Sequence, residues 1–390
     1  MAFNLRCSAC GREYEPVSLV WRCSCGGLLD LPEFAARFPL GSIQERPPTL
    51  WRYREALPFA PEYAGWQAIT MGEGFTPLIA LAPEAPGVLL KVEYQMPTLS
   101  FKDRGAAVLI AKARELGITR VIADSSGNAG TSIAAYAARA GIACDVYVPA
   151  SASAKKLRQI AAHGATVHAI PGSREDTAAA AIAAVEREQV FYASHVYQPF
   201  FFQGTKTYAF EVWEQLGGAP DVLVLPVGNG TLLLGAYYGF QDLRRAGLIE
   251  RLPRILAVQA AGCAPLASAF ACGEAEAASV VNTGTEAEGI AIAAPARGRQ
   301  ILAAVRETGG VIIAVSDAAI EQARSYLAKR GLSVEPTAAA PYAGFFEYIA
   351  RSLNAQPLPA HLPLFSSDPL SAASGERVVI SLCGAGLKAG

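Results

Sequence analysis

Residues 121–128 read Val121-Ile122-Ala123-Asp124-Ser125-Ser126-Gly127-Asn128. An alanine-rich stretch, Gly130–Ala140, follows, and then Cys144-Asp145-Val146-Tyr147-Val148. A short apolar run ending in a Ser/Gly/Asn turn predicts a buried strand, and the stretch after it has helical composition. Strand, helix, strand over fewer than 30 residues is the parallel crossover unit. The same texture recurs on both sides. Apolar runs stand at Val88–Val92, Thr166–Ile170, Val190–Ala193, Val222–Pro226, Ile255–Gln259, Val311–Val315 and Val378–Leu382. Helical stretches stand between several of them, as at Arg104–Leu116, Ala154–His163 and Asp317–Lys329. Strands too apolar to face water, alternating with helices, predict an α/β fold of parallel sheets covered on both faces.

Composition narrows the function. Of the 390 residues, 52% are hydrophobic and 17% charged, enough to build large cores, and the length fits two domains. Lys+Arg is 33 against Asp+Glu 34, so no basic surface for a nucleic acid is expected. No uninterrupted apolar run reaches membrane-spanning length, and the first residues lack the apolar core of a secretory signal. A cytoplasmic protein with no membrane partner is expected. Residues 31–87, rich in proline and aromatics and without clear period, read as an irregular wrapping segment.

In parallel α/β folds ligands bind beyond the carboxyl ends of the strands. Three turns there stand out: Ser125-Ser126-Gly127-Asn128, Gly228-Asn229-Gly230-Thr231 and Cys383-Gly384-Ala385-Gly386. A glycine turn opening a helix offers backbone N–H groups to one phosphate; it reads equally as a tight turn needing positive φ. Ser125–Asn128 offers hydroxyls, an amide and N–H groups to a carboxylate or a ring oxygen; taken alone, it reads first as a helix N-cap. In Pro97-Thr98-Leu99-Ser100-Phe101-Lys102-Asp103-Arg104-Gly105, Lys102 sits at a helix start among apolar and hydroxyl neighbours. Desolvation there frees an amine for Schiff-base chemistry; a surface lysine beside Asp103 and Arg104 is the other reading. Together, an imine-forming lysine, a single-phosphate cradle and a carboxylate grip are what pyridoxal phosphate chemistry on an amino acid requires.

On these residues the chain resembles the threonine synthases, in the β-family (fold type II) of pyridoxal-phosphate enzymes. Further matching stretches are Leu50-Trp51-Arg52-Tyr53, Gly72-Glu73-Gly74-Phe75-Thr76-Pro77-Leu78, Gly204-Thr205-Lys206-Thr207, Glu335-Pro336-Thr337 and Gly386-Leu387-Lys388. The resemblance implies that Lys102 carries the cofactor and shuttles protons. It implies that Asn128 donates to the cofactor's phenolic oxygen and that Gly228, Asn229, Gly230 and Thr231 hold its phosphate. Cys383 would face the pyridine nitrogen, and Ser125, Ser126 and Gly127 would grip the substrate carboxylate. Two parallel-sheet, three-layer domains with the cofactor in the cleft between them are implied. Residues 31–104 and 206–390 would form the larger domain, with 105–205 inserted as the smaller. The implied activity converts O-phospho-L-homoserine and water to L-threonine and phosphate. The alternative is β-elimination or β-replacement on serine, threonine or phosphoserine, as in a dehydratase or a cysteate-synthase-like enzyme. A small amino acid is the expected partner, and a homodimer, common among the relatives, the expected assembly.

The match departs from the family pattern near the substrate. Family members often read Asn-Pro-Thr-Gly where this chain has Met96-Pro97-Thr98-Leu99. They place an arginine for the substrate phosphate where this chain runs Gln198-Pro199-Phe200-Phe201-Phe202. Lys206, Lys155 and Lys156 are the candidate replacements. Four of the eight cysteines, Cys7, Cys10, Cys23 and Cys25, stand in the first 25 residues. Their C-x-x-C and C-x-C spacing suits one tetrahedral structural Zn²⁺ in a zinc-ribbon-like module over residues 1–30; reduced, unmetallated thiols are the alternative. His163, His168, His195 and His361 have no metal-ligand spacing, and His195 alone falls near the expected substrate phosphate.

Overall fold

A computed structural model describes residues 4–83, 85–352 and 375–388; His361 lies outside them. The chain opens with β1 (Leu5–Cys7), β2 (Glu13–Tyr14), β3 (Leu29–Asp30) and α1 (Leu40–Glu45). β4 (Leu78–Ala80) and β5 (Val88–Lys91) precede α2 (Lys102–Glu115). Strict alternation follows: β6 (Arg120–Ala123), α3 (Asn128–Ala140), β7 (Ala143–Pro149), α4 (Ala154–Ala162), β8 (Thr166–Ile170), α5 (Arg174–Glu188) and β9 (Phe191–Tyr192). Then come α6 (Pro199–Thr205), α7 (Thr207–Leu216), β10 (Val222–Pro226), α8 (Thr231–Arg245), β11 (Arg254–Ala260) and α9 (Pro265–Ala271). The last elements are α10 (Gly298–Glu307), β12 (Val311–Val315), α11 (Asp317–Ala328), α12 (Pro336–Ser352) and β13 (Val378–Ser381).

The chain divides into two compact units. The first comprises Met1–Phe75 and Lys102–Thr207. Its main sheet is parallel throughout, in the order β8-β7-β6-β9. Val121, Ile122 and Ala123 are buried, as that pattern requires. Ala129–Ala137 of α3 are buried at every position, which the small alanines permit, and Gly141 at φ 69° ends the helix in the left-handed region. A separate antiparallel sheet, β2-β1-β3, carries the N-terminal cysteines. Leu5, Cys7, Cys23 and Leu29 belong to the same apolar cluster as Trp51 and the Ala106–Ala111 run of α2.

This division differs from the expected one. Residues 31–75 belong with the inserted segment, and so does the cysteine module. The reason is aromatic packing. Trp51 stacks on Trp66 with ring centroids 5.2 Å apart and lies 5.7 Å from Phe59. The Tyr63 hydroxyl donates to the Ala111 carbonyl of α2 at 2.8 Å. Glu73, in the Gly-Glu-Gly motif, is buried as part of the same arrangement. It accepts from Trp51 Nε1 at 2.6 Å and from the Met71 N–H at 2.7 Å, and burial pushes its carboxyl up from the ordinary range. That motif residue therefore anchors the wrapping segment.

The second unit comprises Thr76–Phe101 and Tyr208–Gly390. Its sheet order is β12-β11-β10-β13-β5-β4. Five strands run parallel, and β4 pairs antiparallel with β5 at the edge, so this sheet is mixed where a purely parallel one was expected. β10 and β13 are buried at every residue, which means that both faces of the sheet are covered. At the end of β5, Lys91 is buried with Glu211 at 3.0 Å, the Gln215 amide oxygen at 2.9 Å and the Thr76 carbonyl at 2.6 Å. A buried ammonium is tolerable when so fully paired, and this one fixes the Thr76 turn to α7.

Candidate active site

Lys102 is the first residue of α2 and is half-buried. The turn before it is tight. Leu99 adopts φ 65°, in the left-handed region, with its N–H bonded to the Met96 carbonyl at 2.9 Å. Relatives often place glycine here, and a side chain at this φ costs about 1–2 kcal/mol. In the first unit, α2 crosses α6 closely. A Cβ on Gly105 would collide with the Phe201 ring, and one on Gly204 would collide with the Arg104 carbonyl. The glycines of Asp103-Arg104-Gly105 and Gly204-Thr205-Lys206 are thus the contact points of two helices. The Asp103 carboxylate accepts from Ser132 Oγ at 2.5 Å, which ties the start of α2 to α3. Arg104 donates to Thr207 Oγ1 at 3.0 Å. Lys102 Nζ stands 5.7 Å from the centroid of the Phe201 ring.

α3 begins at Asn128, and Gly127 is its N-cap, at φ −99° and ψ −152° with no side chain capping it. The turn is folded back by Gly130, where a Cβ would collide with the Ser125 carbonyl. Ser125, Ser126, Gly127 and Asn128 are therefore gathered at one helix N-terminus with no acidic side chain in its first turn. In the second unit Gly230, at φ 76°, is the N-cap of α8, also without a capping side chain or a first-turn acid. Gly228 and Gly230 are hemmed in: Cβ atoms there would approach Ile292 Cγ1 to 2.9 Å and Ile301 Cδ1 to 2.5 Å. Thr231 is buried at the first position of α8. Cys383 is buried, its carbonyl accepts from the Phe101 N–H at 3.0 Å, and its thiol lies 3.9 Å from Glu335 Oε1. Ser100 Oγ, beside this segment, is buried with no hydrogen-bond partner among the described residues.

These features fit a phosphorylated cofactor. Each of two helix N-termini, without a capping side chain or a first-turn acid, suits an anion, the glycine turn leaves room only for backbone, and Ser100 offers a buried hydroxyl without a partner among the described residues. Of the remaining expected residues, Lys206 is 4% exposed, with Nζ 4.7 Å above the Phe34 ring. His195 is buried, edge-on to Phe201 with ring centroids 6.0 Å apart. Burial, with the charges of Lys102 and Arg174, pushes His195 well below the ordinary imidazole range, so it is neutral at pH 7. Sequence reasoning passed over Asp124 and Arg174, which lie at the carboxyl edge of the first unit's sheet. Asp124 Oδ1 is sealed without a hydrogen-bond partner although the residue as a whole is half-buried, and its carboxyl is raised to about 6 by desolvation. Both follow strand ends, β6 and β8, so the carboxyl-end rule would have found them. The four N-terminal Sγ atoms lie within 4.8 Å of one another, Cys7 and Cys25 at 3.5 Å and Cys10 and Cys23 at 3.6 Å.

The family model for pyridoxal-phosphate dependent enzymes matches residues 69–357. The chain belongs to this family. It is 34% identical over 353 residues to the threonine synthase of Methanosarcina acetivorans, covering 88% of this chain and 86% of that one. It is 38% identical over 313 residues to the threonine synthase of Mycobacterium leprae, covering 78% and 84%. Among solved structures, maize serine racemase superposes with a TM-score of 0.66 at 20% identity, covering 90% of this chain and 94% of that one. Serine racemase from Dictyostelium discoideum gives 0.64 at 21% identity, covering 80% and 92%. At those identities the structural likeness establishes the fold alone. No helix among the described residues is long and apolar enough to cross a membrane.

Proposed function

We propose that this chain is a threonine synthase, releasing phosphate from O-phospho-L-homoserine and adding water to give L-threonine. The observation that carries the reading is its identity of 34% or more to threonine synthases along most of its length. Lys102 would hold pyridoxal phosphate, with Gly228, Asn229, Gly230 and Thr231 around its phosphate, Asn128 at its phenolic oxygen and Cys383 at its ring nitrogen. Once bound, the cofactor supplies an electron sink for carbanions next to the amino group. The chain's own residues do the rest. Ser125, Ser126 and Gly127 orient the substrate carboxylate through hydroxyl and N–H donors at the start of α3. The Lys102 amine takes a proton from one substrate carbon and returns it to another. The neutral His195 leaves that amine without a competing cationic imidazole at pH 7.

The test supplies holoenzyme with O-phospho-L-homoserine, O-phospho-L-serine, L-serine and L-threonine in turn. Phosphate and threonine formed in equal amounts from the first support the reading. Ammonia and a keto acid from serine or threonine, with phosphohomoserine inert, would replace it by the dehydratase reading, which the buried Phe201 and Cys383 favour.

Cys7, Cys10, Cys23 and Cys25 are, in the same proposal, the ligands of one structural Zn²⁺. A tetrahedron with Zn–S bonds of about 2.3 Å has S–S edges of about 3.8 Å, near the spacings found. Metal analysis of the purified chain tests this: one zinc per chain, lost on substituting Cys7 by Ser, is expected, and a metal-free native chain would exclude it. A cytoplasmic homodimer acting on small amino acids completes the reading.

A further inference from the structure

Strand β9 is the shortest member of the first unit's main sheet. It closes one edge of the order β8-β7-β6-β9 and pairs, among the described strands, with β6 alone, through Val121 with Phe191 and Ile122 with Tyr192. Two residues of pairing are little to hold an edge strand. Yet the segment that leaves it leads straight to Lys102. Ala193 continues the ladder by donating to the Ile122 carbonyl at 2.8 Å. Ser194 and His195 are buried beyond it, and the chain enters α6 at Pro199. There Phe201 lies edge-on to His195, with ring centroids 6.0 Å apart, and its centroid is 5.7 Å from Lys102 Nζ. Whatever fixes the 192–201 segment therefore fixes the surroundings of that amine.

The N-terminal cysteine module, in the same unit, supplies what the pairing lacks. Successive residues of a strand face opposite sides of a sheet. Phe191 and Ala193 belong to the apolar cluster that includes Leu5, Cys7, Cys23 and Leu29 of the module. Tyr192 belongs, with Ile122, to a second cluster, and Trp21 packs against that one. The module thus reaches both faces of the sheet at its β9 edge. Trp21 meets two rings there, Tyr192 edge-on at 5.5 Å and Tyr197 edge-on at 5.0 Å between centroids. One indole so holds the segment on both sides of His195. Trp21 is itself tied to the cysteine turn two residues on, where the Cys23 N–H donates to the Gly27 carbonyl at 3.0 Å and the Tyr14 hydroxyl lies 3.1 Å from Cys23 Sγ. The indole is half-buried and borders a groove of about 210 Å³ between Ser18–Arg22 and Val185, Glu186, Gln189 and Val190 at the end of α5. Its removal would widen this groove rather than leave a sealed void.

We propose that Trp21 is a positioning residue for the active site: it clasps the segment between β9 and α6 through Tyr192 and Tyr197, and so holds Phe201, beside His195, in place against Lys102. The effect on catalysis rests on the proposed role of Lys102; the clasp itself does not. In that role the amine serves two carbons of one substrate, and a misplacement of about 1 Å can cost about 100-fold in rate. The Phe201 ring limits where the amine can swing. It cannot do so from a segment hung on so short a ladder. The cysteine module thereby acquires a purpose beyond its own fold.

The experiment compares holoenzyme of wild type, Trp21→Ala, Trp21→Phe and Val20→Ala. Val20 is the neighbour of Trp21 in sequence but packs against the other cluster, so it serves as the control for loosening the module alone. Backbone hydrogen exchange is read by mass spectrometry over peptides spanning residues 190–206, with peptides of β10 as reference. In Trp21→Ala the 190–206 peptides exchange about 10- to 100-fold faster, the worth of two aromatic contacts, and β10 is unchanged. Trp21→Phe, which keeps a ring, recovers part of the protection, and Val20→Ala leaves this segment as in wild type. Bound cofactor, read from its visible absorbance, stays at wild-type occupancy, because Lys102 and the Gly228–Thr231 turn are intact. The kcat for threonine formation falls about 10-fold in Trp21→Ala and less in Trp21→Phe. Unchanged exchange in Trp21→Ala overturns the proposal. So does faster exchange with kcat undiminished, loss of the bound cofactor, or a Val20→Ala enzyme that loses as much kcat as Trp21→Ala. Should Trp21→Ala fail to fold, Trp21→Leu, apolar but without a ring, carries the test under the same criteria. Wild-type enzyme that makes no threonine from O-phospho-L-homoserine sinks the functional reading alone. The kcat comparison is then made on whichever of O-phospho-L-serine, L-serine or L-threonine it turns over, and the clasp stands or falls by the same outcomes.

Discussion

The chain contains two strand-to-helix turns of similar outline, Ser125–Asn128 in the first unit and Gly228–Thr231 in the second. They are built differently. The second is a packed turn: Gly230 needs φ 76°, and isoleucines crowd both glycines. The strand before it is apolar to its end, at Pro226 and the buried Val227. The first is an open turn. Gly127 has ordinary extended dihedrals, and a Cβ there would meet nothing within 4 Å. It follows a half-buried acid, Asp124, one of whose carboxylate oxygens is sealed from solvent, and is closed by the tight approach of Gly130. A turn that must hold one cofactor permanently can be rigid and glycine-locked. A turn that must admit and release substrate keeps polar side chains and free space. In the proposed function Lys102 serves both cofactor and substrate, and its loss is the largest effect expected. Lys102→Ala should abolish both turnover and the visible absorbance of the cofactor while leaving the fold intact by circular dichroism; residual turnover with normal absorbance would remove it from its role.

Gly230→Ala separates the turns. Alanine at φ 76° costs about 1–2 kcal/mol, and pressing on Ile301 adds about 1–3 kcal/mol. A loss of about 2–5 kcal/mol in denaturant unfolding, with reduced cofactor occupancy, is expected. A variant as stable and as fully loaded as wild type would show that the second turn is not locked.

The same contrast bears on what the sequence could reveal. The central strands of both main sheets are apolar runs buried on two faces, and the ends of the expected strands fall within a residue or two of those observed; the edge strand β4, half-exposed and inside the segment read as irregular, was not expected. Lys102 and the two turns stood out in the sequence by residue type, and the structure puts them at the starts of α2, α3 and α8. Three further things were not legible. β1, β2 and β3 are two or three residues long, too short for any period to register. α6 is buried at every residue, so Pro199-Phe200-Phe201-Phe202 shows no polar stripe to mark a helix. The membership of residues 31–75 depends on Trp51, Trp66 and Tyr63 meeting α2, a tertiary fact with no local signature. Arg174 and Asp124 were missed for another reason: alone, an exposed arginine and a strand-end aspartate resemble any others, and only the shared sheet edge joins them.

Asp124→Asn probes the acid that distinguishes the first turn. Its folded-state pKa, about 6, lies above the ordinary 3.8. Below about pH 4 both folded and unfolded states hold the proton, and the acid carries no penalty. As pH rises through 6, the unfolded state has already released its proton while the fold retains it, so stability present at low pH is lost. The variant, lacking this titration, should be more stable than wild type by about 1–3 kcal/mol at pH 7.5 and little different at pH 4. Unfolding curves at the two pH values check it, and a difference that does not change with pH would show that Asp124 does not titrate in this way.

Gly127→Ala should have the smallest effect, and it completes the comparison with Gly230→Ala. The dihedrals φ −99° and ψ −152° are open to alanine, and the Cβ would point into free space. Stability should therefore change by no more than about 0.5 kcal/mol, since neither strain nor overpacking is introduced. Cofactor occupancy should be unchanged, because the Gly228–Thr231 turn is untouched. In the proposed function this turn holds the substrate carboxylate, and the methyl is added beside it. A methyl there displaces that ligand without disturbing the protein, so KM should rise about 3- to 10-fold, the worth of one imperfect hydrogen bond. Unchanged KM would mean that the free space beside Gly127 is not the carboxylate's. Lost cofactor would mean that the two turns do not divide their work between cofactor and substrate.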